Sequence, residues 1–353
     1  MATVATDLPF DTPPEERATI RAVLWRQFFV TPPLVRDVDL QGKTAIVTGS
    51  NGGLGFECAR QLLDLGLSKL ILAVRDELKG QKAATKLLSG RQLPDDTIEI
   101  WKLDLLSYDL ITAFAERTKT LKRLDIAVLN AGVFKQKYEM AQVTPSISHE
   151  ETIQLNVLSN TLLAILLLPS LKPRTHAEPP GRLAVVSSDV ASWAKFNEKD
   201  NRPLLPAFDK PETFQSWDRY CTSKLISQLL IVELAKKVSP SVAIITLPSP
   251  GLTYGTNFGR LPGFHPTDWI GDVLKRIFGR PASVGARTLT AGVTKFGLEA
   301  HGQFVEDCKL EPLAPFAYTP ESAHISKALW DETMAELSFA HPEKLLNELG
   351  MQS

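Results

Sequence analysis

Residues 48–55 read TGSNGGLG; they follow the apolar run TAIV and lead into the helix-like segment GFECARQLLDLG. Glycines at a strand-to-helix junction let the backbone turn tightly and approach a pyrophosphate, whose charge the helix N-terminus stabilises. Gly49, Gly53 and Gly55 fit the spacing TGxxxGxG, whereas Gly49, Gly52 and Gly55 fit TGxxGxxG. The stretch predicts a dinucleotide-binding turn that opens a βαβ unit, the alternative being a tight packing turn without a ligand.

Strand-like and helix-like segments alternate from residue 42 to residue 251. The strand-like segments are KTAIVTG, KLILAVR, TIEIWKLDL, LDIAVLNAG, GRLAVVSSD and VAIITLPSPG. This alternation implies right-handed crossovers and an α/β fold with a doubly wound parallel sheet. Because no repeat or clear linker interrupts it, we expect one domain.

Composition limits the classes of function. Lysine and arginine (39) balance aspartate and glutamate (40), so we expect no nucleic-acid partner. The three cysteines lack CxxC spacing and the six histidines are scattered, so we expect a reducing compartment and no metal.

The N-terminus lacks the basic start and apolar core of a secretory signal. The longest apolar run, LLAILLLP (162–169), is shorter than the roughly 20 residues of a membrane span and predicts a buried helix. We therefore expect a cytoplasmic protein. Residues 15–30 have helical periodicity, with Ile20, Val23 and Leu24 on one face together with Phe28. This helix should pack on the core; the alternative is a peripheral membrane or dimer contact.

The end of the second strand bears on the choice of cofactor. An acidic residue there hydrogen-bonds the ribose of NAD, whereas an arginine accommodates the 2′-phosphate of NADP. The sequence ILAVRDELKG supplies Arg75 and then Asp76, which favours NADP(H) unless Asp76 does more than cap the next helix. Asp104, which precedes Leu105 after the third strand, could accept from the adenine amino group or cap the following helix.

The pentapeptide YCTSK places Tyr220 and Lys224 one helical turn apart on one face. A nearby ammonium lowers the pKa of a tyrosine, which makes the phenol a better acid–base group. The spacing is common by chance and is a weak signal alone.

Six motifs together carry a family resemblance. In chain order they are TGSNGGLG, LNAG (129–132), Asn156, VVSS (185–188), YCTSK and PSPG (248–251). Over residues 40–330 the chain resembles the short-chain dehydrogenases/reductases, which have a Rossmann-type fold. LILAVRDELKG and GQFVEDCK resemble the retinol-dehydrogenase-like branch and its fungal relatives.

The resemblance implies a role for each matching residue. Tyr220 would be the catalytic acid/base, and Lys224 would hold the nicotinamide ribose and depress the pKa of the tyrosine. Ser188 would hydrogen-bond the substrate carbonyl, and Asn156 would hold a proton-relay water. A buried asparagine satisfied by backbone is the alternative for Asn156. The implied NADP(H)-binding residues are Thr48, Gly49, Asn51, Gly53, Leu54, Gly55, Arg75, Asp104, Leu105, Asn130, Ala131, Gly132, Tyr220, Lys224, Pro250 and Gly251.

The predicted organisation is an N-terminal arm (1–40), a catalytic domain (41–330) and a C-terminal tail (331–353). Two segments inside the domain depart from a minimal Rossmann fold. Residues 192–219 form an insertion that should shape a wall of the active site, and residues 257–282 should cover the substrate pocket. Their apolar residues predict a lipophilic substrate: Trp193, Phe196, Phe208, Phe214, Trp217, Trp269, Ile270, Val273, Leu274, Ile277 and Phe278.

The sequence thus predicts an NADPH-dependent ketoreductase for a lipophilic small molecule, and the resemblance to fungal relatives implies secondary metabolism. The alternatives are a non-catalytic NADP(H)-binding scaffold, a non-redox enzyme on the same fold, and an extended-type nucleotide-sugar epimerase or dehydratase. The protein should be a monomer or a homodimer. Helices 150–168 and 220–238 commonly form a four-helix interface in the family.

Overall fold

The computed structural model describes residues 10–144, 147–175, 177–256 and 276–350. Within these ranges one sheet has eight strands, numbered here in chain order. They are β1 (Thr44–Thr48), β2 (Lys69–Val74), β3 (Ile98–Lys102), β4 (Ile126–Leu129), β5 (Gly181–Val185), β6 (Ala243–Ser249), β7 (Gln303–Glu306) and β8 (Lys309–Glu311). Short two-stranded pairs join Met140–Gln142 to Ser148–Glu150 and Thr253–Tyr254 to Arg280–Pro281.

The strands of the sheet lie in the order β8-β7-β6-β5-β4-β1-β2-β3. All neighbouring pairs are parallel except β7 and β8, and Ala45 of β1 pairs with Leu70 of β2 and Ile126 of β4. The strand order reverses between β1 and β4, which opens a crevice at their carboxyl ends where such sheets bind ligands. The predicted doubly wound α/β fold is therefore confirmed. Strands β7 and β8, in GQFVEDCKLE, were not predicted.

Helices cover both faces of the sheet. The α-helices of seven or more residues in the described ranges are α1 (Ile20–Phe29), α2 (Gly53–Asp64), α3 (Glu77–Leu88), α4 (Tyr108–Thr118), α5 (Glu151–Leu171), α6 (Ser216–Lys237), α7 (Ala282–Thr294), α8 (Ser322–Glu336) and α9 (Pro342–Glu348). The apolar residues of α2, α3 and α7 meet one face, and those of α4, α5 and α6 meet the other.

Helix α5 is the one helix in the described chain that is long and apolar enough to cross a membrane. Within the protein, 89% of its most apolar window is buried. Leu162, Leu163 and Leu167 have no exposed surface, which confirms the predicted buried helix. The helix continues past Pro169 to Leu171, and its residues Gln154–Ser159 form a π-helical segment.

The C-terminal helices pack onto the same layer. Helix α8 contacts α6, and α9 contacts α5, with Trp330, Met334 and Leu346 buried in the main core. The predicted boundary at residue 330 falls inside α8. The faces expected to form a four-helix interface are thus partly occupied by the chain's own C-terminus.

The N-terminal arm attaches differently from the prediction. None of the residues of α1 is buried, and Ile20 and Phe28 are 66% and 49% exposed. Polar contacts hold the helix instead, because the Gln27 amide pairs with the backbone of Leu252 and Arg26 pairs with Glu306 at 3.1 Å. The expectation of an inward apolar stripe on the arm is wrong.

A charged cluster under the insertion anchors it to α8. His149, which is buried, lies between two carboxylates, with Nδ1 2.9 Å from Asp209 Oδ2 and Nε2 3.3 Å from Glu336 Oε1. Burial lowers the pKa of this histidine, but the two carboxylates outweigh burial and raise the pKa to about 9.

We predict that His149→Gln destabilises the protein most at low pH. A histidine whose pKa is raised on folding contributes stability that is full below its unfolded pKa and is lost as pH rises through about 9. Urea unfolding should therefore give a difference from wild type of about 3 kcal/mol at pH 6 that shrinks towards pH 10. The exposed His324→Gln variant is the control. An equal deficit of His149→Gln at both pH values would contradict the charge assignment.

Candidate cofactor and active site

The glycine-rich turn sits at the carboxyl end of β1. Gly49 and Gly53 have φ values of +65° and +56°, in the left-handed region that favours glycine. Gly52 is extended, and a Cβ placed on it would meet nothing within 4 Å. The backbone thus favours the spacing TGxxxGxG, with α2 beginning at Gly53.

Gly55 lies in the first turn of α2, against the glycine-rich turn and the end of β4. A Cβ on this residue would be 2.6 Å from Asn130 Nδ2 and 2.7 Å from the carbonyl oxygen of Gly49. The Asn130 amide donates to the carbonyl of Thr48, and the Thr48 hydroxyl accepts from the backbone N–H groups of Asn130 and Ala131. These bonds lock the end of β4 against the turn.

The turn has unsatisfied polar capacity that suits a phosphate. Ser50 Oγ is buried and has no hydrogen-bond partner among the described residues. Asn51 is exposed beside it, and the first N–H groups of a helix such as α2 have no intrahelical partner. Leu54 is partly buried against the Gly285 backbone. These residues fit a dinucleotide whose pyrophosphate lies at the start of α2.

Arg75 and Asp76 at the end of β2 have different surroundings. Asp76 caps α3, because its carboxylate accepts from the Lys79 backbone N–H at 3.1 Å and lies 3.4 Å from the Lys79 ammonium. That backbone hydrogen bond is the main cause that lowers the pKa of Asp76. Arg75 is exposed and has no ion-pair partner in the described chain.

Asp104 and Leu105 follow β3. The N-cap of α4 is Ser107, whose hydroxyl accepts from the Leu110 N–H, so the interpretation of Asp104 as that cap is wrong. Asp104 instead accepts from the Leu106 N–H at 3.0 Å in a local turn. Leu105 is buried, and its carbonyl accepts from the Ser159 hydroxyl.

Tyr220 and Lys224 lie on α6 as the spacing predicts. The Lys224 ammonium is 6.0 Å from the centroid of the Tyr220 ring and donates to the Val186 carbonyl at 2.8 Å. Burial of Lys224 lowers its pKa to about 8. The ammonium is therefore held at the carboxyl end of β5, next to the phenol.

Asn156 occupies the π-helical segment of α5, a distortion that is frequent at functional sites. Its amide oxygen accepts from the Val133 N–H at 2.9 Å, and its amide nitrogen donates to the Val133 carbonyl and the Ser223 hydroxyl. The hydrogen-bonding groups of the Asn156 amide are thus paired, mainly with the backbone of Val133. This matches the alternative of a buried asparagine satisfied by backbone. A Cβ on Gly132 would lie 3.2 Å from Asn156 Oδ1 and 3.8 Å from Lys224 Nζ.

The two serines after β5, Ser187 and Ser188, have different hydrogen-bond partners. Ser187 is buried and accepts from the Gln228 amide at 3.0 Å. Ser188 forms a side-chain hydrogen bond with Tyr220, and its hydroxyl lies 3.3 Å from Asp189 Oδ1. The second serine of the pair therefore belongs to the tyrosine site.

The pKa of Tyr220 is raised, mainly by burial and further by the charge of Asp189; the hydrogen bond with Ser188 opposes both. The expected lowering of this pKa by Lys224 is therefore not found. The reason is that burial of the phenol disfavours its charged form. At neutral pH Tyr220 carries its proton.

Aromatic rings form a wall around Tyr220. The ring centroids of Phe134 and Trp217 lie 5.5 Å and 6.4 Å from that of Tyr220, and Trp193 lies 6.3 Å from Trp217. Phe134 was missed by sequence reasoning, although it comes two residues after LNAG. The expectation that Phe196, Phe208 and Phe214 join this wall is wrong. Phe196 and Phe208 stack in the core, and Phe214 contacts Tyr138.

The turn after β6 contains Pro250 and Gly251, and Gly251 has a φ of +68°. Gln27 of the arm donates to the Leu252 carbonyl at 2.8 Å and accepts from its N–H. No sequence signal linked the arm to this turn.

Most of the predicted cover segment, including Trp269, Ile270, Val273 and Leu274, lies outside the described residues. Ile277 and Phe278 are described; Ile277 is 57% exposed, and Phe278 packs edge-on against Phe28 at 5.8 Å.

Comparisons with known proteins agree with this arrangement. A family model described as short chain dehydrogenase matches residues 43–197. The short-chain dehydrogenase fogG of Aspergillus ruber is 47% identical over 347 residues, which cover 96% of this chain and 98% of that protein. The short chain dehydrogenase/reductase mfmJ of Annulohypoxylon moriforme is 42% identical over 315 residues, or 89% and 90% of the two chains.

Among solved structures, a short chain dehydrogenase of Escherichia coli complexed with NADPH has a TM-score of 0.54. The match covers 77% of this chain and 99% of that chain at 20% identity. This likeness supports the Rossmann fold.

We predict that Gly55→Ala and Gly52→Ala separate the two glycine spacings. Gly55→Ala should cost about 2–3 kcal/mol of stability and weaken dinucleotide binding, because its methyl group meets backbone and a tethered amide. Gly52→Ala enters open space and should cost about 1 kcal/mol or less, through the helix cap. Urea unfolding and nucleotide titration measure both effects, and equal losses in the two variants would refute the geometry.

Proposed function

This chain belongs to the short-chain dehydrogenase/reductase family of oxidoreductases, and we propose that it uses NADPH to reduce a ketone of a lipophilic small molecule. The observation that carries the proposal is the grouping of Tyr220 with Ser188, to which it is hydrogen-bonded, and with the Lys224 ammonium 6.0 Å from its ring centroid. This group lies at the carboxyl edge of the sheet, on the same side as the glycine-rich turn.

The preference for NADP(H) rests on the end of β2. Asp76 is engaged as a helix cap, so it is not free to select an unphosphorylated ribose, whereas the exposed Arg75 can pair with a 2′-phosphate. The E. coli protein of the same fold was solved with NADPH. The glycine turn, with Asn130–Gly132 and Pro250–Gly251, would hold the rest of the cofactor.

The reaction needs a hydride and a proton. The nicotinamide, when bound, supplies the hydride. Tyr220 and Ser188 donate hydrogen bonds to the ketone oxygen, where negative charge develops, and Tyr220 gives that oxygen its proton. A raised pKa suits Tyr220 to this direction, because the phenol is protonated at neutral pH.

Lys224 stabilises the phenolate that remains on Tyr220. Its own pKa of about 8 keeps it mainly protonated at neutral pH, and the Val186 carbonyl fixes its position. Asn156, held by Val133 and Ser223, braces the backbone between LNAG and α6. This bracing places Gly132 against the lysine.

The substrate class follows from the wall around Tyr220. Phe134, Trp193 and Trp217 offer ring faces and edges, and such groups bind flat apolar or aromatic molecules by offset or edge contacts. A lipophilic intermediate of fungal secondary metabolism is the substrate we propose.

We further propose one catalytic domain over residues 41–330, with the arm and the C-terminal segment packed on it. The contacts of α8 with α6 and of α9 with α5 favour a monomer over a homodimer built on those helices. A cytoplasmic location is part of the same proposal.

The cofactor assignment predicts that Arg75→Ala weakens NADPH binding about 10- to 100-fold and leaves NADH binding unchanged. A charge-assisted hydrogen bond to the 2′-phosphate is worth about 1.5–3 kcal/mol. Quenching of tryptophan fluorescence in separate titrations measures both affinities. Lys86→Ala, which removes an equal charge from the far end of α3, is the control. Tighter binding of NADH than NADPH by the wild type would overturn the assignment.

The redox assignment predicts that Tyr220→Phe still binds NADPH but reduces aromatic ketones at least about 100-fold more slowly, because the proton donor is lost. NADPH oxidation measured over a panel of aromatic and aliphatic ketones gives the rate. Tyr138→Phe makes the same chemical change away from Ser188 and should retain activity. A wild type that binds NADPH but reduces no ketone would favour the scaffold or the non-redox alternative.

A further inference from the structure

Charged groups of the N-terminal arm meet carboxylates next to the active site. Arg17 pairs with Glu306 and with Glu311, and Arg26 Nε lies 3.1 Å from Glu306 Oε2. The Trp193 indole donates to the Ala18 carbonyl at 2.8 Å. The arm is thus bonded both to β7 and to the aromatic wall of the proposed pocket.

Asp189 connects this cluster to the catalytic serine. It follows Ser188 in the chain, and its Oδ1 lies 3.3 Å from the Ser188 hydroxyl. Together with Arg26 and Glu306 it lines a small cavity under the arm. Asp189 forms no ion pair with a described residue, and Arg26 lines the same cavity.

We propose that Arg26 is a positioning residue for the reaction, which sets the charge of Asp189 and thereby the direction in which the Ser188 hydroxyl donates. The proposal rests on the proposed function, since it concerns the serine that would bind the ketone oxygen.

The Ser188 hydroxyl has only one hydrogen to donate. When Asp189 is ionised, its carboxylate accepts that hydrogen, and Ser188 has none left for the substrate. When Asp189 is protonated, it donates to Ser188 Oγ, and the serine hydrogen can point to the ketone oxygen. Protonation of Asp189 therefore completes the pair of donors formed by Ser188 and Tyr220.

Several elements place charged or titratable groups around Asp189. Arg17 and Arg26 face it from the arm, and Glu306 from β7. Tyr220 and Cys221 face it from α6. Burial raises the pKa of Asp189, and the Arg26 guanidinium is the largest opposing influence.

Removal of the Arg26 charge should raise the pKa of Asp189 and keep it protonated to higher pH. Infrared spectroscopy can test this directly, since a protonated carboxylic acid has its own carbonyl band. The Asp189 band is the one lost in Asp189→Asn. In Arg26→Gln its titration midpoint should move up by about one pH unit, and Arg26→Lys should restore the wild-type midpoint.

Gln27→Ala is the matched control, because it removes the two hydrogen bonds that tie the same arm to Leu252 but removes no charge. It should cause no upward shift. An upward shift in Gln27→Ala equal to that in Arg26→Gln would show that the effect comes from loosening of the arm, and this would overturn the proposal. An unchanged midpoint in Arg26→Gln would overturn it as well.

The link to Ser188 has its own readouts. Ser188→Ala should shift the frequency of the Asp189 band, because a hydrogen-bond partner is lost; an unshifted band would refute the link. In ketone reduction, kcat/KM should fall with rising pH at the Asp189 midpoint, and Asp189→Asn should lack this limb. A limb that persists in Asp189→Asn would also refute the link. If the wild type reduces no ketone, the proposed function fails, while the infrared midpoints still decide the role of Arg26.

Discussion

The close approach of Gly55 to Asn130 is the constraint on which the rest of the site depends. No side chain fits between the first turn of α2 and the end of β4, because the space is filled by a carbonyl and an amide. The Asn130 amide and the Thr48 hydroxyl then tie β4 to the turn. Since β1 pairs with both β2 and β4, this contact fixes where the neighbouring strands end. Arg75 and the LNAG segment are thereby placed along one crevice.

Burial has more effect than the charge of a neighbour on the pKa values of Tyr220 and Lys224. It raises the pKa of the Tyr220 phenol and lowers that of the Lys224 ammonium, so each group is pushed towards its neutral form. A protonated phenol suits ketone reduction, in which the enzyme gives up a proton. The lysine is held by the Val186 carbonyl, beside the ring of Tyr220.

The sequence was sufficient to predict the fold and the residues that come together at the carboxyl ends of its strands. Local spacing predicts the glycine turn, the Tyr220–Lys224 pair and the alternating strands, because these depend on neighbours within one turn or one strand. Contacts between distant segments were not predictable in this way. The Gln27–Leu252 pair and the ring of Phe134 against Tyr220 arise only after the chain has folded. The prediction that the apolar stripe of the arm faces inward failed for the same reason. Helical periodicity shows which residues share one face of a helix, but not what that face packs against.

The two halves of the site have different physical origins. The cofactor side is built from strand ends whose positions follow from backbone hydrogen bonds of a parallel sheet, so few side chains are needed to shape it. The substrate side is built from segments outside the sheet, namely the insertion with Trp193 and Trp217 and the arm bonded to it through Ala18. Side-chain contacts such as those of Trp193 and Gln27 hold these segments, and changes in them can alter the pocket without disturbing the sheet. The charged contacts of the arm lie at the junction of the two halves, around a cavity that Asp189, next to Ser188 in the chain, also lines.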